Sequence, residues 1–161
     1  MQPDRTAPLT VALYQPDIPQ NAGTILRMCA CLGLEAAIVE PAGFLASDKH
    51  FRRAGMDYLA HLEIARYLDW AAFEEWRHAN GRRLVLLTTK ADLAYTAFCF
   101  LPGDILLFGR ESAGVPARVH AAADARLLIP MKHKMRSLNV AVAAAMVAGE
   151  ATRQIRLSGF C

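Results

Sequence analysis

At 161 residues the chain suits one domain, 1–161, long enough to bury a sizeable core. Its hydrophobic content of 54% and mean hydropathy of +0.19 are high for a small soluble domain, yet no uncharged run reaches the ~18 residues that span a bilayer. A net charge of +3 permits an anionic partner without demanding one, and the apolar surplus is better explained by a subunit interface, so a homodimer is expected.

Thr10-Val11-Ala12-Leu13-Tyr14 reads as a short apolar strand. Gln15 to Gln20 is a proline-punctuated loop, and Asn21-Ala22-Gly23 leads into a helix with Ile25, Met28, Cys29 and Leu32 on one face. Gly33 stands where a glycine would end that helix, and Ala36-Ala37-Ile38-Val39-Glu40 is the next strand, stopped by Pro41. Strand–helix–strand predicts an α/β fold with a parallel sheet flanked by helices. Ser47-Asp48 can cap a short helix through Lys49, Arg52 and Arg53, Leu62 to Tyr67 is a candidate strand, and Asp69 caps a helix carrying Trp70, Phe73 and Trp76.

Leu84 to Leu87, Asp104 to Phe108 and Arg126 to Ile129 are further apolar strands. Each runs into a polar or glycine-bearing turn: Thr88-Thr89-Lys90, then Gly109 to Gly114, then Pro130 to Asn139. Ligands of parallel sheets collect outside the carboxyl ends of the strands, so these three turns are expected to line one pocket. Ser137-Leu138-Asn139 opens the last helix, with residue types that accept from the unpaired N–H groups of a first turn. From Val140 to Ala151 that helix is apolar all round and has little bulk, which predicts burial on every side. A polar turn feeding a buried helix is costly unless the turn binds something.

Absences narrow the chemistry. No two glycines occur as G-x-G, and no Gly-Lys pair exists, so the Rossmann fingerprint and the P-loop are missing. The five histidines show no ligand spacing, and no metal is expected. There is no G-x-S-x-G elbow. Cys29, Cys31, Cys99 and Cys161 form no C-x-x-C pair and read as buried thiols in a reducing cytoplasm. The start, Met1-Gln2-Pro3-Asp4-Arg5, lacks the basic and apolar regions of a signal peptide, which agrees with a cytoplasmic location.

Three constellations remain. Asn21-x-Gly23-x-x-x-Arg27 is either a helix cap with a solvated arginine or part of a cleft, since Arg27 lies off the apolar face. Phe108-Gly109-x-Glu111-x-x-Gly114-Val115-Pro116 is either a glycine-rich strand-to-helix turn whose Pro starts the next helix or a ligand site, in which two glycines admit a ligand to the backbone and Glu111 adds an acceptor. Lys132, His133, Lys134 and Arg136 form a solvated loop or a phosphate clamp. Together the three resemble the motifs of the SPOUT methyltransferase superfamily, closely so in its ribose 2′-O-methyltransferase branch. Pro16-Asp17-Ile18-Pro19-Gln20-Asn21, Arg52-Arg53-Ala54-Gly55-Met56-Asp57-Tyr58, Thr88-Thr89-Lys90 and Glu150-Ala151-x-Arg153-Gln154 extend the similarity. They resemble the small enzymes that methylate the tRNA wobble nucleotide.

That resemblance implies a deep C-terminal trefoil knot, a homodimer, and S-adenosylmethionine held in the knot, with S-adenosylhomocysteine as product and tRNA as the methyl acceptor. Carried over by position, it places cofactor contacts at Leu87 and Thr88, at Gly109 and Glu111, and at Ile129, Met131, Ser137 and Leu138. It makes Arg27, Asn21, Ser137 and Asn139 the catalytic candidates. The chain departs from the pattern at Lys132-His133-Lys134-Met135, where relatives carry small or acidic residues, and at Gly149, where some have an aromatic. Methylation of another tRNA or rRNA ribose, and a non-catalytic RNA-binding dimer of the same fold, are the alternatives. S-adenosylmethionine binding would separate the last from the enzymes.

Overall fold

The computed structural model describes residues 8–156, so Cys161 and the start at Met1–Arg5 lie outside it. The first strand, β1 (Thr10–Tyr14), is buried along its whole length, as a central strand of a two-faced sheet must be. Its alternation assigns the two layers: Val11 and Leu13 pack on one side, Ala12 and Tyr14 on the other. β2 (Glu35–Val39) and β3 (Ile64–Tyr67) extend the sheet outward from one edge of β1. On the other edge come β6 (Ile105–Phe108), β4 (Leu84–Leu87), β7 (Ala125–Leu128) and the two-residue β5 (Leu93–Ala94). The seven strands run in the order β3-β2-β1-β6-β4-β7-β5, and all pairs are parallel.

Helices cover both faces. α1 (Pro19–Leu32), α2 (Lys49–Gly55) and α5 (Val140–Arg156) meet the layer containing Val11, Val85, Leu106 and Leu127. α3 (Trp70–Ala79) and α4 (Ala117–Ala122) meet the layer of Leu84, Leu86, Ile105 and Leu107. The caps follow the expected chemistry: Asp48 accepts from His50 and Phe51, Asp69 accepts from Ala72, and Gly33 ends α1 at φ +68°. A 3-10 turn, Met56–His61, follows α2 directly.

Several expectations are corrected. α1 begins at Pro19, where the missing N–H costs nothing, so Asn21 sits inside the first turn instead of capping it. Its buried stripe is Ala22, Gly23, Ile25, Leu26 and Cys29, while Leu32 in the last turn is 37% exposed. Cys29 and Cys31 lie two residues apart, about 200° around the helix, so only Cys29 faces the core. Its burial pushes that thiol up to about 12, whereas Cys31 and Cys99 are exposed. Within one protomer the last helix is not buried all round. Ala144, Val147, Ala148 and Ala151 form one inward stripe at helical spacing, and Val142 and Met146 face outward at 49% and 38% exposure.

α5 is also tied down at its far end. Gln154 accepts from Phe100 N at 2.9 Å and donates to the Phe98 carbonyl at 3.0 Å. This clasp holds the segment entering β6, and a Glu150–Arg153 ion pair of 2.9 Å flanks it. No helix among the described residues is long and apolar enough to cross a membrane.

Candidate active site

β6, β4 and β7 are neighbours in the sheet, so the turns that leave their carboxyl ends are neighbours too. They close around a cavity of about 950 Å³, within the size range of small-molecule sites. Leu87 and Thr88 line it from the β4 turn, with Thr89 and Lys90 beside them. Thr88 N donates to the Leu127 carbonyl at 2.9 Å, which pins that turn to β7. Gly109 and Glu111 line it from the β6 turn, and Ile129, Met131, Ser137 and Leu138 from the chain after β7. Asn21 and Asn139 complete the rim.

The β6 turn is drawn into a tight loop. Arg110 N donates to the Gly114 carbonyl at 3.0 Å, and Gly114 N returns a bond to Arg110 at 2.8 Å. Gly114 sits at φ +64°. A Cβ on Gly109 would lie 2.7 Å from the Gly114 carbonyl carbon, so the loop closes only without a side chain there. The third turn behaves differently. The chain leaves the cavity after Met131, carries Lys132, His133, Lys134 and Arg136 into solvent, and returns at Ser137.

A polar network joins three distant parts of the chain at the rim. Asn139 Nδ2 donates to Asn21 Oδ1 at 3.0 Å, and Asn21 Nδ2 donates to Glu111 Oε1 at 3.3 Å. Asn139 Oδ1 meanwhile accepts from Ala141 N at 2.8 Å and Val142 N at 3.3 Å, capping α5. Glu111 and Asp17 grip each other reciprocally: Asp17 N donates to Glu111 Oε2 at 3.4 Å, and Glu111 N donates to Asp17 Oδ1 at 3.2 Å. Asp17 also accepts from the Ser112 hydroxyl and lies 3.7 Å from Arg110 Nε. Two facing carboxyls cannot both ionise freely. The hydrogen bond from Glu111, aided by Ser112, holds Asp17 down to about 2, while burial pushes Glu111 above the ordinary carboxylate range.

All eight residues expected to contact a cofactor line the cavity, and so do Asn21, Ser137 and Asn139. Arg27 does not. Its exposed side chain turns to the 3-10 segment, with Nη1 3.1 Å from Met56 Sδ. Gly23, in the same motif, serves packing: a Cβ there would lie 2.7 Å from Ala54 Cβ, so α1 and α2 meet through it. No local sequence pattern marks Asp17 as a site residue, because its role is to hold a turn 94 residues away. Arg110, Lys90 and His120 also line the cavity. Among the described residues no cluster of His, Cys, Asp and Glu could hold a metal ion.

A family model described as the SpoU rRNA Methylase family matches residues 8–149. The chain belongs to that family. Within the SpoU family, it is 68% identical over 145 residues to a tRNA (cytidine(34)-2'-O)-methyltransferase of Beijerinckia indica, covering 90% of this chain and 91% of the relative. A solved structure described as structural insights into the 2-OH methylation of C/U34 on tRNA superposes with a TM-score of 0.88 at 41% identity, covering 92% of this chain and 96% of that one. The SpoU methyltransferase AviRb from Streptomyces viridochromogenes, solved with AdoMet, superposes with a TM-score of 0.88 at 29% identity, over 98% of this chain and 64% of that one.

Proposed function

We propose that this protein is a tRNA 2′-O-methyltransferase that moves the methyl group of S-adenosylmethionine to the ribose 2′-hydroxyl of nucleotide 34, a cytidine or a modified uridine. The observation that carries the reading is the meeting of three strand-end turns around one cavity whose rim is closed by the Asn21–Asn139 bond. The residues suit the cofactor. Leu87, Ile129 and Leu138 offer apolar surface for a flat heterocycle, and the side-chain-free Gly109 loop brings backbone groups to the cavity.

S-adenosylmethionine supplies an already activated methyl on a sulfonium sulfur. The protein's own task is therefore alignment of the ribose oxygen and relief of the charge that develops as its proton leaves. Ser137 and Asn139 orient the hydroxyl; that both line the cavity supports this role. A guanidinium offers N–H donors and no acceptor, so the role of Arg27 is to stabilise the developing alkoxide or anchor a phosphate, not to take the proton. The exposed Lys132–Arg136 loop supplies cations for tRNA phosphates.

In this reading the whole chain is one methyltransferase domain working in the cytoplasm, with a trefoil knot formed by the segment after β7. It works as a homodimer, and the outward Val142–Met146 face of α5 suits a second copy. Methylation of bulk tRNA with labelled S-adenosylmethionine, followed by mapping of the modified nucleotide, tests the proposal. Label at nucleotide 34 supports it; label elsewhere, or none, overturns it.

A further inference from the structure

Arg27 leaves the cavity wall, yet it is not loose. Its Nη1 lies 3.1 Å from Met56 Sδ, and its Cζ sits 4.9 Å from the centre of the Tyr58 ring. Both partners belong to the 3-10 turn Met56–His61. That turn is fixed to α1 through α2, because Gly23 admits Ala54 and the Gly55 backbone at van der Waals limits.

Met56 is the unusual residue. Its backbone takes φ +53° and ψ −148°, a region that side-chain-bearing residues rarely adopt and glycine occupies freely. Its side chain is 54% exposed, so core packing does not explain a methionine at a position suited to glycine. Strain of this kind persists where the surroundings hold it, and it clusters at sites that need fixed geometry. A thioether is a weak acceptor, and a cation over an exposed tyrosine gains little. Neither alone would restrain a side chain as long as arginine, but together they restrict the same guanidinium.

We infer that Met56 and Tyr58 are positioning residues for Arg27: the strained turn sets a thioether and a ring against its guanidinium, so that its plane is fixed before RNA arrives. The inference rests on Arg27 acting in methyl transfer, as proposed above. It also accounts for the exposure of the cluster, since a charge held for RNA must remain reachable.

Met56→Gly is the informative variant, because it relieves the backbone and deletes the sulfur together. It should keep or raise the melting temperature while kcat on a tRNA transcript falls roughly ten-fold, with KM for S-adenosylmethionine unchanged. Tyr58→Leu should lower kcat similarly, and Tyr58→Phe, which keeps the ring, should restore it. In an Arg27→Ala background neither change should cost anything more, because they act through the missing group. Wild-type kcat in both Met56→Gly and Tyr58→Leu, or equal losses in the Arg27→Ala background, overturns the inference. A readout apart from catalysis is the Arg27 Nε–H resonance, identified by its loss in Arg27→Lys. It should move toward the free-arginine position in Tyr58→Leu, and an unmoved signal also overturns the inference. A wild-type protein that methylates no tRNA would refute the proposed function, while the resonance would still decide whether Tyr58 restrains Arg27.

Discussion

Asn139 uses both ends of its amide: Nδ2 donates to Asn21 Oδ1 at 3.0 Å, across 118 residues of chain, and Oδ1 caps α5 through Ala141 and Val142. One side chain therefore starts the last helix and ties it to the first. The two duties separate by substitution. Asn139→Ala loses both, and the lost cap alone costs about 1 kcal/mol. Asn139→Asp keeps an acceptor suited to a helix start but cannot donate to Asn21. Its melting temperature should stay close to wild type while methyl transfer drops, a split visible in parallel thermal and activity measurements.

Gly109→Ala tests the β6 turn. The new methyl would meet the Gly114 carbonyl carbon at 2.7 Å and its Cα at 2.9 Å, and these backbone atoms cannot yield as a flexible side chain would. The loop must open, so calorimetry should record a loss of roughly ten-fold or more in S-adenosylhomocysteine affinity with the far-ultraviolet spectrum retained. Unchanged affinity would remove Gly109 from the site.

The Asp17–Glu111 pair carries opposite pH signatures. Burial raises Glu111, so the folded protein keeps that proton at pH values where the unfolded chain has released it. Stability therefore falls as pH rises from about 4 through the raised value. Glu111→Gln removes the titration, and its melting temperature should gain on wild type across that window, then run parallel. Asp17, held down to about 2 chiefly by Glu111, behaves in reverse: its contribution is present above the ordinary aspartate range and lost as pH falls toward 2. Thermal melts from acid to neutral pH on Glu111→Gln and Asp17→Asn check the two signs.

In the proposed homodimer the outer face of α5, with Val142 and Met146 exposed, is the candidate interface. Ala144 is fully buried in its own protomer, so enlarging it damages the core and says nothing about a partner. Ala145, on the exposed side, is the clean position. Ala145→Phe should leave the protomer folded and weaken a dimer formed through this helix by ~1–3 kcal/mol. Sedimentation over a dilution series would show the shift, and an unshifted dimer would place the interface elsewhere.

Most of the sheet was legible because its strands are short, apolar and punctuated. Leu84–Leu87 stands at its expected bounds, and Pro41 and Gly33 stop their elements as their chemistry requires. Less legible were features set by packing at a distance. Leu93–Ala94 is too short to give a period and pairs only because β7 lies beside it. α5 looked buried on all sides because composition cannot distinguish a helix wrapped by its own chain from one facing outward. The convergence of the three turns followed from where parallel strands end. The grip of Asp17 on the Glu111 loop did not, because it spans 94 residues of sequence. The placement of Arg27 against Met56 and Tyr58 depended on a backbone conformation that residue identity argues against.

The cavity draws its walls from Ile18 near the start of the chain to Ala143 in the last helix. Such a site has no partial form during synthesis. A ribosome-bound chain that has emerged only as far as β7 holds all seven strands and the Gly109 loop, but it lacks Ser137, Asn139 and the helix they introduce. Ligand binding by nascent chains of increasing length should therefore switch on in one step, once residues beyond Asn139 clear the exit tunnel. Until then, the growing polypeptide lacks the Ser137–Asn139 wall of the proposed cofactor site.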